Sequence, residues 1–178
     1  MKKIFIGWQA ILKHGVLLGI LLTAVVILGF LIEPLIFATD LPEVVQEQIG
    51  EVPPAVFPLA LGLMLTITFS SLFFSFRMNR EIFKERREDA SYLNLLLNAF
   101  LVLNFMNLWD AVVVDVLLSG IIQPDFMTIQ GAEEHIREHN TTAFHFIAFL
   151  KGQPFMIIFA AISAGIFVLT HKRKSNSN

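Results

Sequence analysis

The 178-residue chain contains no cysteine. Disulfides, thiolate zinc sites, iron–sulfur clusters and cysteine nucleophiles are therefore excluded. Charge is also scarce. Asp, Glu, Lys and Arg make up 16% of residues, thirteen bases against fifteen acids give a net charge of −2, and the bases fall in short clusters. No continuous basic stripe exists to grip a nucleic acid, so that partner class is excluded too. What is present in excess is apolar: 55% hydrophobic residues, 18 Phe and a mean hydropathy of +0.67. A soluble domain has no place for so much apolar surface, so these side chains must face lipid.

About 20 apolar residues at 1.5 Å rise cross roughly 30 Å of hydrocarbon. Four uncharged runs reach that length: Gly15 to Ile32, Val52 to Phe76, Ser91 to Trp109 and Gly152 to Thr170. They predict a single all-α membrane domain over residues 1–178, a polytopic four-helix bundle with spans near 15–37, 53–76, 91–120 and 143–170. The first run follows Lys2 and Lys3 as a signal peptide does, but it is longer than a usual signal core and lacks a small-x-small cleavage pattern at Phe37-Ala38, so it reads as retained. Ahead of it, Ile4, Phe5, Trp8, Ile11 and Leu12 recur at helical spacing. They suit either a short interfacial helix or an extension of the first span.

Lys and Arg in short loops favour the cytoplasm. Eleven of the thirteen bases fall on one side: Lys2, Lys3, Lys13, Arg77, Arg80, Lys84, Arg86, Arg87, Lys172, Arg173 and Lys174. Only Arg137 and Lys151 fall on the other, where Asp40, Glu43, Glu47 and Glu51 lie within one base-free loop. Both termini are thus expected in the cytoplasm of a cell-membrane protein. The segment 77–89 mixes five bases with Glu81, Glu85, Glu88 and Asp89 at helical spacing. It reads as a solvated extension of the flanking spans, or as a contact for anionic lipid or a partner.

Counting outward from the inner ends, Glu33 lies 19 residues after His14, Asp110 lies 19 after Ser91, and Lys151 lies 19 before Thr170. On straight α-helices each stands roughly 28 Å from the inner boundary. Charges at membrane depth pair or line water, so Lys151 is expected to bridge Asp110 or Glu33, as a helix lock or as part of a site. Asp115 and His145 fall roughly 8 to 9 Å further out, where Asp115 is placed to hold His145. Asn104, Asn107 and Asp110 form a polar stripe leading up to them. Pro34, Pro58 and Pro154 fall in the outer third of their helices, where broken helical bonding must meet protein or water. The expectation is an outward-facing polar vestibule under Glu43–Glu51 and Gln123–Thr142. Within the second cap, His135 and His139 stand at i and i+4, and Glu133, His135, His139 and His145 offer candidate ligands for a divalent metal such as zinc. Asn140-Thr141-Thr142 has the form of a glycosylation sequon.

The stretch Asn107-Leu108-Trp109-Asp110, Asp115, Pro124-Asp125-Phe126, Gly131-Ala132-Glu133, Phe144-His145, Phe149 and Lys151-Gly152 resembles a pattern in an uncharacterised family of small bacterial four-span membrane proteins. Those carry a WN-x-x-D-x-x-x-x-D helix, a P-x-F segment, a G-x-E turn and an F-H…K-G helix. Here Met106 precedes the Asn and the Trp stands at 109. The resemblance covers roughly the last third of the chain. It implies no activity, only that Asn107, Asp110, Asp115, Glu133, His145 and Lys151 form the functional centre. Three functions fit these residues. One is binding or transport of a small polar or amphipathic ligand, with Glu33, Asp110 and Asp115 as proton or cation partners. A homodimer would then complete the pathway, meeting at Gly15 and Gly19 or at Ala60 and Gly62. The second is an outer-leaflet enzyme with an Asp/His, metal-assisted site. The third is an accessory subunit whose charges fix helix contacts.

Overall fold

A computed structural model describes residues 4–85, 91–139 and 141–175, with side chains through residue 170. Lys2, Lys3, Arg86, Arg87, Glu88, Asp89 and Asn140, and the side chains of Lys172, Arg173 and Lys174, lie outside the described residues. The fold is helical, and among the described residues there is no strand. Six α-helices are α1 (Trp8–Ile32), α2 (Glu43–Ile49), α3 (Val56–Glu85), α4 (Tyr92–Trp109), α5 (Glu133–His139) and α6 (Thr142–Ser175). Pro34–Asp40 and Asp125–Met127 form 3₁₀ turns, and Asp110–Ile122 continues α4 as a π-helix. Four helical stretches are long and apolar enough to cross a membrane: Trp8–Ile32, Val56–Glu85, Tyr92–Ile122 and Thr142–Thr170.

The first helix begins at Trp8, so Trp8, Ile11 and Leu12 continue the first span, while Ile4 and Phe5 lie ahead of it outside any helix. It ends at Ile32, short of the expected 37, because Pro34 has no N–H to donate and pushes Glu33 into extended backbone (φ −161°, ψ 99°). Pro58 sits in the first turn of α3, where its missing donor costs nothing, and Pro154 lies inside α6. The stretch through Glu85 continues α3, as the charge spacing predicts.

Contacts divide the chain into two compact units. The first comprises Met1–Gly19, Thr68–Asn107 and Gly152–Asn178. Its N-terminal segment is clasped by α4: Asn98 accepts from the Gly7 N–H at 2.7 Å and donates to the Phe5 carbonyl at 2.9 Å, while Asn94 accepts from the Phe5 N–H. Lys13 and His14 both reach Glu81 at 3.0 Å. Phe167 wedges against Phe76 and Phe83, each at 5.4 Å between ring centroids, above buried Leu95 and Ala164. Gly15 lies beneath the Phe105 ring, leaving no room for a Cβ. This close approach expected of a dimer is therefore made within one chain.

The second unit comprises Ile20–Ile67 and Leu108–Lys151. Gly29 packs against Phe37 and Leu63, and Phe37 stacks on Phe30 at 4.3 Å. Trp109 donates its indole N–H to Thr23 at 3.0 Å. The two connecting segments are folded: Ala38, Val45, Ile129 and Ala132 form a buried cluster to which Leu35, Leu41, Ile49, Val52 and Ile136 add.

Candidate functional site

The π-helix organises the polar residues of the second unit. Its i→i+5 bonding is rare and is found most often as single turns at functional sites; here it persists for 13 residues. Gln123 ends it in the left-handed region (φ 47°, ψ 59°), donating its N–H to the Leu118 carbonyl at 2.8 Å and its side-chain amide to Gly120. On an α-helix Asp110 and Asp115 would point roughly 140° apart. The wider π turn brings residues five apart towards one face.

Asp115 Oδ2 lies 3.0 Å from His145 Nδ1, joining the π-helix to α6. The His145 side chain is 8% exposed and its Nε2 has no hydrogen-bond partner among the described residues. Asp115 therefore fixes the ring through one nitrogen and leaves the other, in a dry setting, available to a ligand or a proton. Asp110 is within electrostatic reach of Asp115 and Asp40. Asp40 is exposed as a residue, yet atoms crowding its carboxyl, and secondarily the charge of Asp115, hold its pKa above the ordinary 3.8. The second unit thus holds one Asp–His pair, with Asp40 and Asp110 within electrostatic reach of its Asp115.

The other expected site residues are placed differently. Glu33 accepts from the Leu35 N–H at 3.2 Å and caps the 3₁₀ turn that Pro34 starts. Lys151 is exposed, and among the described residues it forms no ion pair with Asp110 or Glu33. Pro34 and the π-helix change the rise and direction that straight α-helices would keep. Asn107 belongs to the first unit, where its amide lies close against Gly152, and Asn104 donates to Gln153 beside it.

Glu133, fully exposed, accepts from its own backbone N–H and from that of Gly131, at 2.9 Å for the latter, and both bonds hold it below its ordinary pKa. The His135 and His139 rings stack on α5 with centroids 6.4 Å apart, and His139 Nδ1 lies 3.2 Å from the His135 carbonyl oxygen. His145 is engaged with Asp115, so the expected metal set is divided between an N-terminal turn, a stacked pair and a dyad. Among the described residues, no three His, Asp or Glu side chains are grouped to hold a metal ion.

A separate cleft of the second unit is lined by the stacked Phe30 and Phe37, by Met127 and Ile129, and by Glu133 and Arg137. Neither Asp115 nor His145 lines it, but Ser119, four residues beyond Asp115 on the π-helix, does. Asp40 and the π-helix had no sequence signal: the aspartate lay in a loop read only for its charge, and a helix of thirteen apolar and polar residues looks alike in either winding. Comparison with known protein families, curated proteins and solved structures finds no match to this chain.

Proposed function

We propose that this chain is a multi-pass membrane protein that binds or transports a small polar or amphipathic ligand, using the Asp115–His145 dyad as its proton or cation partner. The observation that carries this reading is the buried ring of His145, held by Asp115 at 3.0 Å on one nitrogen and unpartnered on the other. Such an arrangement is costly in an apolar setting and is expected to persist where the free nitrogen meets a ligand or proton. The Asp115 carboxylate beside the ring favours a cation or a protonated amine over an anion. The cleft with aromatic walls and a Glu133/Arg137 rim suits a molecule with both an apolar and a polar end. The eleven-to-two bias of bases supports both termini in the cytoplasm and this unit facing outward.

The reading is tested with proteoliposomes carrying a trapped pH dye under an imposed membrane potential. Proton entry should exceed that of empty vesicles and fall at least tenfold in Asp115→Asn and His145→Gln. Flux indifferent to both substitutions and to Asp110→Asn would count against the reading and favour the accessory-subunit role.

A further inference from the structure

The first unit buries polar groups that neither the dyad nor helix packing uses. Asn79 and Ser75 are 0% exposed and Ser163 is 1% exposed, and among the described residues no hydrogen bond reaches Asn79 Oδ1, Asn79 Nδ2, Ser75 Oγ or Ser163 Oγ. This is not the habit of hydroxyls in this chain. Thr66 donates to the Gly62 carbonyl and Thr170 to that of Ile166, each one turn back along its own helix.

The four atoms come from two stripes that meet. Ser75, Asn79 and Phe83 follow one another at i, i+4 and i+8 on α3, and Ser163 and Phe167 are i and i+4 on α6. Phe83 and Phe167 touch, with ring centroids 5.4 Å apart. Successive spans alternate in direction, so α3 and α6 run parallel, and one turn back from this contact stand Asn79 and Ser163. Ser75 lies one turn further along the same stripe. On α6 the buried residues flanking Ser163 are small, Ala160 and Ala164.

We infer that Ser75, Asn79 and Ser163 form an internal hydration site, a second polar centre independent of Asp115 and His145. The donor and acceptor inventory selects its occupant. A bare cation would satisfy three oxygens and repel the Asn79 N–H groups, and an anion would do the reverse. Water donates and accepts, so it alone satisfies all four atoms, and buried water commonly makes about three such bonds. An apolar occupant would leave each of them unpaired.

The absence of cysteine from the chain makes the site readable. Ser75→Cys and Ser163→Cys are near-isosteric, and a thiol ionises and reacts only where water reaches it. In the full chain in detergent, each should react with a small methanethiosulfonate at least tenfold faster than the control Ala99→Cys, whose site is equally buried but apolar. Adding Asn79→Leu should bring those rates to the control value. Rates equal to the control without that change would overturn the site. Should these variants not fold, hydroxyl-radical footprinting of the unmodified chain gives the same answer. Met78, 0% exposed and three residues from Ser75, should be oxidised at a rate well above zero by radicals formed from its neighbouring water. A Met78 left intact at doses that oxidise Trp8, exposed at the start of α1, would refute the inference.

Discussion

Replacing Asp115 by alanine should destabilise the protein through His145. The His145 side chain is 8% exposed, so water cannot take over the bond that Asp115 makes at 3.0 Å, and its Nε2 is already unpartnered. Hydrogen bonds between membrane helices average about 0.6 kcal/mol and reach about 1.7. A carboxylate acceptor is stronger than a neutral one, so this bond belongs near the upper limit. A double-mutant cycle over Asp115→Ala and His145→Ala should give a coupling energy of about 1 to 2 kcal/mol, a factor of about 5 to 30 in the folded-to-unfolded ratio. Unfolding in mixed micelles can be followed by Trp109, which lies in the same unit and bonds Thr23, after Trp8→Phe removes the other indole. Asp115→Asn, which keeps an acceptor oxygen, should retain part of the coupling. A coupling below about 0.5 kcal/mol, within ordinary additivity, would refute the claim that the dyad is closed and dry.

Gly29→Ala should lower stability by about 1 to 3 kcal/mol, because its Cβ would stand 2.7 Å from Phe37 and 2.8 Å from Leu63, and the Phe37 ring is held by its stack on Phe30. Gly62→Ala, which meets nothing within 4 Å, should be neutral or gain up to about 1 kcal/mol; thermal melts of the two variants make the comparison. Asp40 has a folded pKa raised above 3.8, so it binds its proton more tightly when folded, and its contribution to stability falls as pH rises from that value through the raised one. Asp40→Asn should flatten that part of the stability–pH curve measured by denaturant titration. Asn98→Leu removes the partners of the Gly7 N–H and the Phe5 carbonyl, and hydrogen exchange at Gly7 should then accelerate by more than tenfold while α4 amides stay protected.

The spans were legible because hydrophobicity acts additively along a chain: each of the four uncharged runs falls on one helix long enough to cross a membrane, apart from Val52 to Ala55 and Ser91 at the starts of two of them. The Asp115–His145 pairing was legible as well, since both residues had to be satisfied at one depth. The bridge expected from Lys151 to Asp110 or Glu33, counted at 1.5 Å per residue throughout, is not formed among the described residues. One proline turned Glu33 into a cap, and thirteen residues of π-helix altered the register beyond Asp110. His14 and Glu81 were read as a boundary and a solvated face, yet they meet at 3.0 Å with the His14 side chain 4% exposed. Pairings between helices of this kind depend on rotation about each axis, which the nearly uniform apolar surface of these spans does not encode.

The small cluster of Ala38, Val45, Ile129 and Ala132 bears on how the chain is assembled. Its members come from the α1–α3 connection and from the connection that follows the third span, separated by more than eighty residues. Each connection closes one helical hairpin, and a hairpin can enter a bilayer as soon as it is synthesised. The cluster cannot form until both have arrived on the same side, so it acts as a latch between two units of insertion. Closing so long a loop is entropically slow, and its cost grows only weakly with length. Assembly should therefore be two-step, with the hairpins inserting first and the latch reporting that the second has reached the first.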